Sequence, residues 1–227
     1  GFEALLRWQH PVRGLLLPDQ FLPLAEEIGL LPGLGQWVLE TACRQASQWP
    51  APLRVAVNLA AVQLDSHLHC RVIAALEQTG LAPTRLELEV TETALFTQID
   101  AARSSLMALK QSGVAIVMDD FGTGYSSLGY LRAFPFDKVK IDKSFIQDLP
   151  HDNQAAAVVE SVARLCQRLG VITTVEGVEH TGQLPPLHQS GCQQLQGYLF
   201  GHPGPASGLA AVIERYTGTA ARPARQS

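Results

Sequence analysis

Basic residues are in short supply in this chain: 17 lysines and arginines stand against 21 aspartates and glutamates, a formal net charge of -4. A general nucleic-acid surface is built from clustered basic residues, so none is indicated. An anionic partner would have to be drawn in by something other than net charge. Cysteine is sparse as well. Cys43, Cys70, Cys166 and Cys192 lie far apart and form no CxxC pair, and they read as free thiols in a reducing compartment rather than as a zinc site. No apolar run reaches the roughly 20 residues of a membrane span, and no secretory signal is visible. The sequence opens at Gly1-Phe2-Glu3, so a targeting or anchoring segment could lie upstream. The expected location is the cytoplasm, with any membrane anchor left to that upstream segment. The histidines (His10, His67, His69, His151, His180, His188, His202) fall in loops or at helix ends. The spacing of His67 and His69 is too weak a metal signal, and they read as surface residues.

What is present is alternation. Short β-branched runs at Leu53–Asn58, Leu86–Val90, Val114–Asp119, Lys138–Ile141, Val171–Val175 and Leu195–Leu199 predict strands. Helical patterns fall between them, near Pro18–Ile28, Leu34–Gln48, Leu68–Thr79, Asp100–Gln111, Ala155–Leu169 and Gly182–Ser190, with a last helix at Pro205–Tyr216. Strand–helix repetition implies parallel strands joined by right-handed crossovers. In a chain of 227 residues, 46% of them hydrophobic, this favours one (β/α) barrel domain over an open sheet. The domain is expected over residues 1–217, followed by a disordered Ala/Arg/Pro/Gln tail at 218–227.

The strands end in chemistry. Glu3, Asn58, Glu89, Asp119-Asp120, Lys140, Glu176 and Gln196 all lie in or just beyond strand candidates. In a barrel the carboxyl ends of the strands meet on one face, where active sites are built. Each residue alone could be a solvated strand end, a turn residue or a snorkelling lysine; their shared position is the informative fact. The adjacent carboxylates of Asp119 and Asp120 close an apolar run and precede a glycine-rich stretch, Phe121-Gly122-Thr123-Gly124-Tyr125-Ser126-Ser127, that reads as a mobile loop. Such a pair is costly to keep ionised unless a cation lies between the two, and oxygen ligands suit hard ions such as Mg²⁺ or Mn²⁺. The set suits metal-assisted phosphodiester hydrolysis, with two ions about 3.5–4 Å apart sharing a carboxylate and a lysine close to the reacting water.

These residues resemble a known family. Glu3-Ala4-Leu5-Leu6-Arg7-Trp8 matches the signature of EAL domains, bacterial phosphodiesterases that cut cyclic di-GMP to linear pGpG. Val57-Asn58-Leu59, Glu89-Val90-Thr91-Glu92, Asp119 to Ser127, Lys140-Ile141-Asp142, Glu176-Gly177-Val178-Glu179 and Gln196-Gly197-Tyr198 follow in the family's order and spacing. The resemblance implies a TIM-like barrel with two Mg²⁺ or Mn²⁺ ions, one held by Glu3, Asn58, Glu89 and Asp119, the other by Asp119, Asp120 and Glu176. It implies Lys140 at the attacking water, Glu176 as general base, Leu5, Arg7 and Gln196 at the substrate, and Glu92 anchoring the 121–127 loop. It further implies a homodimer and an upstream sensory or GGDEF domain. Ala60, Val175 and Gly201-His202-Pro203 depart from the family pattern, the last near the guanine side. A helix and strand that normally precede the Glu-Ala-Leu motif, including a Tyr-Gln-Pro stretch, are absent from this sequence. The expectation is a barrel without its N-terminal helix and first strand, unstable or inactive by itself, within a competent parent. Two other readings stay open: an inactive EAL module that binds cyclic di-GMP or a protein partner, and an unrelated metal-dependent barrel enzyme.

Overall fold

The computed structural model describes residues 1–123, 129, 131 and 134–218. Seven parallel strands form one sheet: β1 (Phe2–Ala4), β4 (Val55–Leu59), β5 (Leu86–Thr91), β6 (Ala115–Phe121), β7 (Lys138–Ile141), β8 (Ile172–Val175) and β9 (Gln194–Leu195), neighbours in that order. The sheet is curled. β1 and β9 stand at opposite ends of the strand order, yet Gln196, just past β9, donates from Nε2 to Oε2 of Glu3 in β1 at 2.7 Å. This is the barrel-like layout that the alternating pattern predicts.

Period-two alternation sorts each strand into two faces. Leu86, Leu88 and Val90 of β5, Ile116 and Met118 of β6, and Val139 of β7 join the main apolar core with residues of the surrounding helices. Their neighbours Glu87, Glu89, Asp119, Lys138 and Lys140 share the opposite, inner face through the registers Asn58↔Glu89, Glu89↔Val117, Val117↔Lys138 and Lys140↔Thr174. The apolar face therefore looks out to the helices and the charged face looks inward.

Among the described residues the α-helices are α1 (Leu22–Glu27), α2 (Leu31–Ser47), α3 (Leu68–Thr79), α4 (Glu92–Gln111), α5 (Asn153–Leu169), α6 (Leu184–Gln189) and α7 (Leu209–Gly218). None of the described helices is long and apolar enough to cross a membrane. β7 and α3 have the predicted bounds. The helix expected at Asp100 begins eight residues earlier, because the Thr91 hydroxyl accepts from the Ala94 amide and caps it there. The helix expected over Pro18–Ile28 is divided into a 3₁₀ turn, Pro18–Gln20, and α1, with Phe21 outside helical geometry between them. The strand expected over Leu195–Leu199 stops at Leu195. Gly197 lies so close to the Val178 backbone that a Cβ there would come within 2.2 Å of its carbonyl, and the chain turns, Phe200 donating to Gly197 O. An antiparallel hairpin, β2 (Trp8–His10) with β3 (Gly14–Leu16), was not expected. Residues 219–227, nearly all of the expected tail, and 124–128 of the glycine-rich loop lie outside the described residues.

Candidate active site

At the carboxyl end of the sheet the inner face converges on one ammonium group. Lys140, 2% exposed, places Nζ 2.7 Å from Glu176 Oε1, 2.9 Å from Glu89 Oε2, 3.2 Å from Asp119 Oδ1 and 3.4 Å from Glu3 Oε2. Four strands thus deliver carboxylates to a fifth strand's lysine. Lys140 could have been an edge residue; it is the buried hub.

Charge is unbalanced here. Burial alone would lower the Lys140 pKa, but Glu89, Asp119, Glu176 and Glu3 together hold it above the ordinary lysine value, so the ammonium stays protonated. One cation cannot serve four anions equally. Burial, with the neighbouring Glu3 and Asp119 charges, pushes Glu89 up to about 8 despite the opposing pull of Lys140. Burial likewise raises Glu176 to about 7, Lys140 pulling down and Asp119 and Glu3 pushing up. Glu3 goes the other way. Its burial is outweighed by Lys140 and by hydrogen bonds from Gln196 and Asn58, leaving its pKa below the usual value. Asn58 donates from Nδ2 to Glu3 Oε1 at 2.7 Å, which leaves its carbonyl oxygen out of that bond.

The Asp119-Asp120 pair depends on a local distortion. In a regular strand adjacent side chains point to opposite faces. Here the β6–β7 register shifts between Met118 and Phe121, and Asp120 adopts a left-handed φ of 55°. That conformation is uncommon outside glycine and tolerated best by Asn and Asp. As a result Asp119, Asp120 and Glu176 offer carboxylate oxygens that all lie within 4.8 Å of one another. Burial and the nearby charges of Asp119 and Asp142 raise the Asp120 pKa. A cation that neutralises this cluster fits the donor set, three hard oxygens with surplus negative charge.

The two expected ligand sets are gathered differently. Asp119, Asp120 and Glu176 form a compact group; Glu3, Asn58 and Glu89 are brought to the same pocket, but the three carboxylates Glu3, Glu89 and Asp119 close on Lys140. Gln196 joins directly through Glu3. Leu5 is 43% exposed beside the pocket strand, and Arg7 donates to the Leu6 carbonyl at 2.7 Å, outside the Lys140 network. Glu92 is buried at the start of α4, while most of the loop it was expected to anchor lies outside the described residues.

Two features went unread in the sequence. Glu87 and Lys138 form a second ion pair at 2.5 Å, two residues before Glu89 and Lys140 on the same strands. The Glu-x-Glu and Lys-x-Lys spacings carried that signal. Gln183, 3% exposed, ties down the segment that follows Glu176.

Comparison with known proteins agrees with this geometry. The model of the EAL domain matches residues 1–203. The bifunctional diguanylate cyclase/cyclic di-GMP phosphodiesterase MucR of Pseudomonas aeruginosa is 46% identical over 218 residues, 94% of this chain and 32% of that protein. The cyclic di-GMP phosphodiesterase NbdA of the same organism is 44% identical over 228 residues, 98% of this chain and 29% of that protein. The solved PaMucR phosphodiesterase in complex with c-di-GMP superposes with a TM-score of 0.85 at 46% identity, covering 91% of this chain and 86% of that one. The chain spans about a third or less of the length of these two curated relatives. By the match along its length and by the acidic motifs gathered in one pocket, the chain belongs to the EAL domain family.

Proposed function

We propose that this chain is the catalytic domain of a phosphodiesterase that hydrolyses cyclic di-GMP to linear pGpG. The observation that carries the reading is the Lys140 hub: one buried ammonium against four carboxylates, next to a compact Asp119–Asp120–Glu176 cluster. A pocket so anionic repels a phosphodiester unless divalent cations reverse its field. Glu3, Asn58, Glu89 and Asp119 would hold one Mg²⁺ or Mn²⁺, and Asp119, Asp120 and Glu176 a second. When bound, such ions polarise phosphoryl oxygens and lower the pKa of water.

The chain's own residues do the rest. Lys140 keeps its proton and presents a fixed positive charge where negative charge grows in the transition state. Glu176, its carboxylate 2.7 Å from the Lys140 ammonium, would take the proton from the attacking water. Gln196 holds Glu3 in place and faces the substrate side. Arg7 offers a planar fork for a phosphate, and Leu5 an exposed apolar surface beside it. Glu92 would anchor the 121–127 loop. The domain extends over residues 1–217, works in the cytoplasm as a homodimer, and follows a sensory or GGDEF domain in a longer protein.

The test is turnover. The full-length protein incubated with cyclic di-GMP and Mg²⁺ or Mn²⁺ should yield pGpG, and Asp119→Asn should abolish the product. Binding of cyclic di-GMP without product would instead mark an inactive binding module.

A further inference from the structure

Glu176 lies just past the end of β8, so the strand alone does not fix its carboxylate. Its amide donates to Ile141 O at 3.0 Å; beyond it the chain enters Gly177, Val178, Glu179 and His180 before the turn Thr181–Gln183. Val178 is pinned on one side, its amide donating to Gln196 O and its carbonyl accepting from Leu199 N, both at 3.0 Å. The other side is held by a side chain. Gln183 Oε1 accepts from the amides of Glu179 at 2.8 Å and His180 at 3.0 Å, and Nε2 donates to Ile146 O at 3.0 Å. Ile146 is fully buried and belongs to the segment that follows Lys140.

We infer that Gln183 is a positioning residue for the reaction: its amide bolts the segment behind Glu176 to the segment behind Lys140. This rests on the catalytic reading given above. Making all three bonds takes an acceptor and a donor on separate atoms of one side chain, which an amide supplies without any change of protonation. A buried amide with three such bonds is costly to replace, since each lost partner leaves a buried polar group unpaired.

The same turn recurs elsewhere, and its settings differ usefully. Gln63, 6% exposed, accepts from the Ala60 amide at 3.0 Å in the turn after β4, the strand of Asn58. Gln20 accepts from the Leu17 amide at 2.8 Å in an exposed turn after β3, which carries none of the proposed ligands. Gln20 is therefore the control: the same local bond with no site residue behind it.

The experiment compares Gln183→Leu, Gln183→Glu and Gln20→Leu in the full-length protein. The first readout is hydrogen exchange of the Glu176 amide without metal or substrate. Gln183→Leu should speed it about tenfold or more, the order expected when buried hydrogen bonds are removed from a local opening equilibrium. Gln20→Leu should leave it unchanged. Mn²⁺ affinity and kcat should each fall about 10- to 100-fold in Gln183→Leu, as when a residue supporting a ligand is lost, with KM little altered. Gln183→Glu keeps the acceptor for Glu179 and His180 but opposes a carboxylate to Ile146 O, so its values should be intermediate. Unchanged Glu176 exchange and kcat in Gln183→Leu, with only a lower Tm, would overturn the inference. If that variant does not fold, wild-type exchange and kcat in Gln183→Glu overturn it equally. A wild-type protein with no cyclic di-GMP turnover sinks the functional reading alone, because the exchange readout still decides the role of Gln183.

Discussion

Two charged layers are stacked inside the curled sheet, sharing β5 and β7 and separated by two residues along them. In the lower layer Lys138 meets Glu87 at 2.5 Å, and Arg54 reaches the other oxygen of that carboxylate at 3.2 Å. In the upper layer Lys140 meets Glu89, Glu3, Asp119 and Glu176. Both lysines are buried, and each pairs with a glutamate of β5. The charge count separates them. The lower carboxylate has two cations and needs nothing further. The upper ammonium has four carboxylates, and Glu89 and Glu176 answer with raised pKa values of about 8 and about 7. One layer is a finished structural ion pair; the other keeps a surplus of negative charge that a bound cation would offset. That unfinished layer is where the proposed metal-dependent reaction would belong.

Removing the two lysines in turn gives the largest effect and the most direct way to break this comparison. Lys140→Met leaves several buried carboxylates without their cation. The metal-free protein should lose about 3–5 kcal/mol, the cost of breaking a buried pair from one side. Mn²⁺ should restore much of that loss while turnover stays abolished. Lys138→Met leaves Arg54 on Glu87, so the loss should be about 1–3 kcal/mol, the penalty for one unmet partner of a charged group, with no recovery on adding Mn²⁺. Urea unfolding of each variant with and without metal reads both quantities. Equal losses with equal metal response would mean that the layers do not differ in kind.

A backbone change sharpens the comparison without touching any charge. Gly177 follows Glu176 with a φ of +70°, and a Cβ there would fall 2.3 Å from the Lys143 Cβ. Gly177→Ala therefore combines left-handed strain of about 1–2 kcal/mol with a forced shift of the chain beside Glu176. The upper layer should suffer selectively. Turnover should fall by about tenfold or more, since misplacement of about 1 Å can cost far more than that. The lower layer, two residues down the strands, should keep its pairing, visible as an unchanged effect of Lys138→Met in the new background.

Much of this was legible in the sequence, and what was not has identifiable causes. The parallel strands were readable because β-branched runs alternate with helical stripes, as at β7 and α3. The convergence of Glu3, Asn58, Glu89, Asp119, Lys140, Glu176 and Gln196 followed from barrel geometry once each lay at a strand end. The inward turn of Asp120 did not follow, because a register shift and a left-handed φ leave no periodic trace. The hub position of Lys140 was hidden for a different reason: burial of a lysine depends on charges delivered by strands distant in sequence. Helix α4 was begun too late because Thr91, just beyond the strand expected over Leu86–Val90, was not read as a cap. The β2–β3 hairpin was missed because its strands are three residues each, too short to show alternation.

The smallest expected effect tests whether the contrast lies in the charges or in the scaffold behind them. Helix α5 packs on the outer face of the sheet: Val159 lies in one core cluster with Ile141 and Val175, and Cys166 in the other with Val139. Its first turn is capped by Asp152, whose Oδ1 accepts from the Gln154 and Ala155 amides at 2.7 and 3.2 Å. Asp152→Ala should cost about 1 kcal/mol, as for other lost caps, by loosening a support that lies behind β7 and β8 alike. Because β7 carries both lysines, the cost should be shared by the two layers and leave their difference intact. Lys140→Met and Lys138→Met should then be separated by the same stability gap in the Asp152→Ala background, additive within about 0.5 kcal/mol for sites this far apart. A gap that shrinks would place the origin of the upper layer's special behaviour in the packing of α5 rather than in the surplus of carboxylates around Lys140.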